Sequence, residues 1–192
     1  MSKSFSLEDS DTLRELINSL IDSGWKGNWD AKDGKITIDG SSGPTLEEYV
    51  KENTALDFHE TVRLAVCLGV QLAALTGMSK GVLFFSLSDV QVINSEWYLL
   101  TNLDKVLPMN ENRQLTLRRP IKFDGFLPPE LKGVNRLPLV TDQSCAFYSL
   151  ALLCIAAIKI DPSLHQIADT SLYFLLKRCL VDDPEARIFL LI

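Results

Sequence analysis

Apolar and polar positions follow several distinct patterns along this chain, and each pattern implies an element. Residues 144–160, SCAFYSLALLCIAAIKI, carry no charge before Lys159 and are apolar on every helical face, as in a helix buried all round. The run falls short of the roughly 20 apolar residues that a bilayer span needs. It reads as the central helix of a soluble domain, with no membrane span. Residues 57–76 place Val62, Ala65, Val66, Gly69, Val70 and Ala73 on one side, with Leu64, Leu68, Leu72 and Leu75 adjoining. That pattern predicts a second long, mostly buried helix ending near Gly77. Leu13, Leu16, Ile17, Leu20 and Ile21 follow Ser6 and Ser10 at helical spacing, which predicts a capped amphipathic helix ending at Gly24.

Between these helices the periodicity changes. Asp33-Gly34 lies between segments carrying Trp29, Ile36 and Ile38, the signature of a β-hairpin with a tight primed turn. Residues 40–44 break the chain, and Thr45 caps a short helix. Residues 81–94 and 96–104 read as short strands joined at Asn94-Ser95. Residues 105–140, with five prolines and little periodicity, read as irregular, and a loop of that length in a compact domain calls for a functional explanation. Two amphipathic helices, 163–180 and 184–191, close the chain. The expected fold class is therefore mainly α: a helical domain over 44–192 with a small helix-plus-hairpin appendage over 1–43.

Composition narrows the function classes. At 192 residues the chain can bury a core without disulfides or metals. A net charge of −6 argues against a general nucleic-acid binder, which needs a basic face. Cys67, Cys145, Cys154 and Cys179 are scattered through apolar runs without C-x-x-C spacing, as buried thiols in a reducing compartment would be. The first residues, MSKSFSLEDSDTLRELI, are charged where a signal peptide is apolar, so an intracellular, cytoplasmic location is expected. His59 and His165 have no triad partner, and Ser86 lacks a G-x-S-x-G context. Within this acidic chain, residues 105–136 hold Lys105, Arg113, Arg118, Arg119, Lys122, Lys132 and Arg136 against Glu111, Asp124 and Glu130. Arg113, Arg118, Arg119 and Lys122 are candidates for docking an acidic partner.

Several local patterns, in order, resemble the C-terminal lobe of the protein kinase fold. Gly43-Pro-Thr-Leu-Glu-Glu-Tyr-Val resembles the hinge and first lobe helix, and residues 57–77 the long helix ahead of the catalytic loop. Residues 81–93, GVLFFSLSDVQVI, stand where kinases carry their H-R-D-L-K-x-x-N loop. Leu99-Leu-Thr-Asn-Leu-Asp stands at D-F-G, Leu127-Pro-Pro-Glu at A-P-E, Tyr148-Ser-Leu-Ala in the central helix, and residues 178–187 at the closing R-C-L-x-x-D-P-x-x-R. The resemblance covers about residues 43–192.

On that resemblance the catalytic positions are degenerate. The catalytic aspartate is matched by Ser86, the metal-binding asparagine by Gln91, the metal-binding aspartate by Asn102, and the helix aspartate that braces the loop by Ala146. Phosphoryl transfer needs those charges to hold Mg²⁺ and orient the acceptor. No phosphate loop and no V-A-I-K strand occur. Asp89 and Asp104 lie out of register. The resemblance thus implies no enzyme activity, no cofactor and no metal. It also implies that Glu130 and Arg187 form the buried ion pair that joins a kinase activation segment to its last helices. Among known modules the chain looks most like KIND domains, through Thr45-Leu-Glu-Glu-Tyr-Val followed by residues 60–75 with Val66-Cys67 and Gln71, although it adds 43 residues in front. The implied function is a pseudokinase- or KIND-like regulator or scaffold that binds a protein partner, such as a peptide segment of a cytoskeletal, scaffold or kinase protein. The alternatives are a kinase-mimicking inhibitor of a true kinase and a divergent, weak phosphotransferase.

Overall fold

A computed structural model describes residues 4–39 and 42–190. The break expected at 40–44 lies partly outside the described residues, as does the end of the 184–191 segment. Strand β1 (Ser4–Glu8) leads into α1 (Asp11–Asp22), whose N-cap Ser10 accepts from the Leu13 amide. Strands β2 (Trp29–Lys32) and β3 (Lys35–Asp39) form a hairpin whose two-residue turn, Asp33-Gly34, has positive φ at both positions, as a primed turn demands. β1 returns antiparallel to β3 and completes a three-stranded sheet in the order β1-β3-β2.

Strand β4 (Ser42–Thr45) runs into α2 (Leu46–Glu52), opened by a capping box between Thr45 and Glu48. A second capping box, Asp57 with Glu60, opens α3 (Phe58–Gly77). β5 (Lys80–Val82), β6 (Val90–Ile93) and β7 (Trp97–Leu100) follow, with a 3-10 turn at Leu87–Asp89. β4, β6 and β7 form one small sheet. Next come β8 (Val106–Pro108), paired to β5, and β9 (Gln114–Leu117), paired to β10 (Leu139–Asp142). The chain closes with α4 (Cys145–Ile158) and α5 (Ser171–Cys179).

The mainly α expectation is overturned: among the described residues the protein is mixed α/β, 40% helix and 22% strand, with five helices and several small sheets. The strands that the sequence hid are short. β8 and β9 lie inside the proline-rich 105–140 segment and β10 straddles its end, each only three or four residues long, and β1, although its apolar and polar residues alternate, is five residues long and runs directly into the cap of the first helix. The closing helices are also shorter than expected. Residues 163–180 split into a 3-10 turn at His165–Ile167 and α5, and the described residues 184–190 supply the turn Pro184–Ala186 in place of a helix.

α3 and α4 pack against each other in the middle of the main apolar cluster, which runs from Leu13 in α1 through Leu64, Leu68 and Leu75 to Leu150, Leu153 and Leu176. By length and composition α3 would reach across a bilayer, whereas the 14-residue α4 would not. Nine α3 residues, from Thr61 to Leu75, are buried against protein. Among them Gln71 ties helix to sheet: its amide nitrogen donates to the Tyr98 carbonyl at 2.8 Å and its oxygen accepts from the Leu100 amide at 2.9 Å. Gly69 admits the Phe189 ring, which a Cβ there would meet at 2.4 Å. A second, smaller cluster of Leu83, Phe84, Leu115, Leu117, Leu131 and Cys145 lies under β9.

Candidate functional site

The segment linking β5 to β6 descends into the protein with Leu83, Phe84 and Phe85 fully buried, because apolar residues there face both clusters. It then turns at Ser86, which brings Asp89 inward. Asp89 is 2% exposed and fully engaged. One carboxylate oxygen accepts from the Ser86 amide at 2.7 Å and from the Lys105 ammonium at 2.6 Å, and the other accepts from Asn102 Nδ2 at 2.8 Å. Its own carbonyl accepts from the Thr101 amide at 2.9 Å. A buried carboxylate is tolerable only with such partners.

Lys105 is the matching cation. Its side chain is 8% exposed, and its Nζ also donates to Ser86 Oγ at 3.2 Å, approaches Asp124 Oδ1 at 3.5 Å and sits 4.5 Å from the centre of the Phe84 ring. Asp124 is held below the usual carboxylate range, chiefly by its hydrogen bond from Lys122, which outweighs the upward push of burial, with the charge of Lys105 adding to the lowering. The ammonium thus lies between two carboxylates. A small polar cleft of about 250 Å³, lined by Glu47, Ser86, Ser88 and Asp124, opens beside it. Among the described residues no three His, Cys, Asp or Glu side chains gather to share a metal ion.

The floor of this loop is fixed from α4. The Phe85 amide donates to Ser149 Oγ at 2.7 Å in the buried interior. Ala146 is buried and apolar, so the brace between central helix and loop comes from the serine three positions later. The kinase-like pattern pointed at Ala146 and missed Ser149, whose signal was a serine inside a charge-free helix. Lys105 was likewise read as one more cation of the basic segment. Gln91 lies on the far side of the loop, where its amide donates to the Gly43 carbonyl and ties β6 to β4. Of the four positions, the structure brings Ser86 and Asn102 together around Asp89 and leaves Gln91 and Ala146 outside.

Glu130 and Arg187 meet. The two guanidinium terminal nitrogens donate to the two carboxylate oxygens at 2.5 and 2.8 Å, while Nε donates to the Val181 carbonyl at 2.7 Å and Nη2 to the Asp182 carbonyl at 2.9 Å. The Arg187 side chain is wholly buried and its guanidinium stacks 4.9 Å from the Tyr148 ring centre. Fork-to-fork geometry of this kind gives the strongest neutralisation that Arg offers.

The docking candidates are dispersed. Arg118 and Arg119 are exposed and line a cleft of about 600 Å³ between β8 and β9, whose floor includes Leu107, Met109, Leu117 and Ile121. Arg113 sits in the turn before β9 with φ 58°, and Lys122 turns to Asp124 at 3.1 Å. The four cysteines are buried, and burial pushes the Cys67 thiol up to about 11 and Cys179 to about 12, with Cys145 and Cys154 higher still. None is a ready nucleophile. No protein-family model matches the chain, and no curated protein is significantly similar to it.

Proposed function

We propose that this chain is a non-catalytic, kinase-C-lobe-like interaction module, a regulator or scaffold that acts by holding a partner protein. The observation that carries the reading is Lys105. In a protein kinase the loop after the long helix supplies the catalytic aspartate and a metal-binding asparagine, and the segment after the following hairpin a metal-binding aspartate, so that Mg²⁺ holds the nucleotide phosphates. Here the one inward carboxylate of the loop, Asp89, is neutralised by a lysine of the same chain at 2.6 Å, and the position matching the metal-binding aspartate, Asn102, donates to that carboxylate. A tethered ammonium makes the centre electrostatically complete without a divalent ion.

Two further features support a lobe kept for its shape. Glu130 and Arg187 pair where the kinase-like alignment sets its structural bridge, and Ser149, three positions beyond the Ala146 of that alignment, holds the loop to the central helix. Neither contact serves phosphoryl transfer directly. The Glu130–Arg187 pair ties the 105–140 segment to the C-terminal part of the chain, and the Ser149 contact fixes the 83–89 loop on α4.

The test is phosphoryl transfer from γ-labelled ATP with Mg²⁺ or Mn²⁺, to the chain itself and to a generic protein acceptor. No incorporation above a buffer blank is expected. Time-dependent incorporation that disappears in Asp89→Asn would overturn the reading.

A further inference from the structure

Residues 188–190 leave the buried Arg187 in an alternating pattern. Phe189 turns toward the apolar cluster, while Ile188 and Leu190 on either side of it are 55% and 48% exposed. The edge of the Phe189 ring lies on the backbone of α3 at Gly69, where any Cβ would collide with it. Its centre is 5.6 Å from that of the Phe147 ring on α4, within the range of favourable aromatic pairs. Two helices thus build a slot for one aromatic side chain. Glycine inside a helix weakens it relative to alanine, and what Gly69 supplies in return is this close approach of a ring.

The segment that fills the slot is held loosely. Arg187 is fixed by its fork on Glu130 and by the Val181 and Asp182 carbonyls. Beyond it, the hydrogen bonds among the described residues are long or weak. The Ile188 amide donates to the Arg178 carbonyl at 3.4 Å, Arg178 Nη1 donates to the Leu190 carbonyl at 3.4 Å, and Cys179 Sγ, a weak donor, lies 3.6 Å from the Ile188 carbonyl. Withdrawing residues 188–190 exposes one ring and breaks these bonds while α3, α4, α5 and Arg187 keep their places, as in a local unit at the low end of a protein's stability range. Apolar surface continues on both sides of the slot. Val62 and Val66 precede Gly69 on the same face of α3, with Val66 39% exposed, and Phe174, 47% exposed, lies one turn before Arg178 on α5. The segment itself shows what this surface accepts: an extended aliphatic–aromatic–aliphatic sequence with its ring inward.

We infer that the Gly69 slot is a docking site for an extended partner segment with an aromatic side chain between aliphatic ones, and that Phe189 occupies it in cis, so that the partner binds by displacing residues 188–190. An aromatic anchor seated in a preformed pocket is the usual energetic centre of such recognition. The cis occupant lowers the apparent affinity in proportion to the fraction of molecules whose slot is empty. The inference rests on the reading of the chain as an interaction module and names the chemistry of its partner and the contact that holds it off.

The experiment compares the whole wild-type protein with Phe189→Ala, which empties the slot. A random-peptide phage library is selected on the variant, and enriched peptides are synthesised and measured on both proteins by fluorescence anisotropy. They are expected to carry Phe, Tyr or Trp beside an aliphatic residue and to bind the variant about ten-fold or more tightly than wild type. Adding Gly69→Ala to the variant, which closes the slot, is expected to weaken them by about ten-fold. No enrichment above background, peptides without an aromatic residue, equal affinity for both proteins, indifference to Gly69→Ala, or a variant that sediments as a dimer because a second copy takes the slot would each overturn the inference. Hydrogen exchange of the wild-type protein tests the loose hold without any substitution. The Ile188 amide is expected to exchange about 100-fold or more faster than the Leu176 amide inside α5, and exchange as slow as that of Leu176 would overturn the inference as well. Phosphoryl transfer is measured on the wild-type protein without peptide, so the two readings fail separately.

Discussion

Two sets of charges in this protein have opposite fates. Around Asp89, Lys105 and Asn102, and again at Glu130 and Arg187, the charged groups are paired within the chain, with Asp89, Lys105 and Arg187 buried and Glu130 half-buried. Thirteen residues beyond Lys105, Arg118 and Arg119 stand exposed on an apolar cleft without an ionic partner among the described residues. Desolvation explains the contrast. A buried charge must be neutralised within the fold or it destabilises it, whereas an exposed one costs almost nothing and remains available. The inner charges therefore read as architecture and the outer ones as recognition, and substitutions at the two should separate stability from binding.

The largest effects are expected at the inner pairs. Arg187→Ala leaves Glu130 without its fork and two carbonyls without donors, and should cost about 3–5 kcal/mol in urea unfolding. Lys105→Met should cost a similar amount by stranding Asp89, while the double variant Lys105→Met with Asp89→Asn should recover much of the loss, since no unpaired charge then remains. If the single and double variants are equally unstable, the pair is not the source of the effect. Ser149→Ala should cost about 1–3 kcal/mol by leaving the Phe85 amide buried without an acceptor. Smallest of all, the charge reversals at Arg118 and Arg119 should move stability by no more than about 0.5 kcal/mol. A large loss there would mean that these arginines belong to the architecture after all.

The thiols add a pH dependence. Burial raises the folded-state pKa of Cys67 to about 11 and of Cys179 to about 12, above the roughly 8.5 of an unfolded thiol. Between those values the unfolded chain releases protons that the native chain keeps. The contribution is therefore fully present below about pH 8.5 and is lost as pH rises toward 11 to 12. The urea midpoint should fall over that alkaline range, and alkylation of the four cysteines at mildly alkaline pH should proceed only as fast as the protein opens.

The sequence was most legible where one periodicity ran long. The charge-free run became α4, residues 57–76 became α3, and Asp33-Gly34 closed the hairpin it signalled. It was least legible in 105–140, where strands of three or four residues make too few alternations to stand out and are fixed by partners far along the chain, such as Leu117 opposite Leu139. The same distance hid the site. Lys105 gains its role only because a turn at Ser86 carries Asp89 inward, and Ser149 only because α4 passes beneath Phe85. Glu130 and Arg187, 57 residues apart, were approachable from sequence through the kinase-like pattern, which pairs two distant motifs.

The central claim is that Lys105 already fills the acidic centre that a nucleotide-bound metal would need. Thermal melting of the wild-type protein with and without Mg²⁺ and ATP at millimolar concentration tests it most directly, because a ligand that binds only the folded state raises its melting temperature by mass action. The melting temperature should stay the same in the presence of Mg²⁺ and ATP. A rise of several degrees that requires both metal and nucleotide would contradict the account.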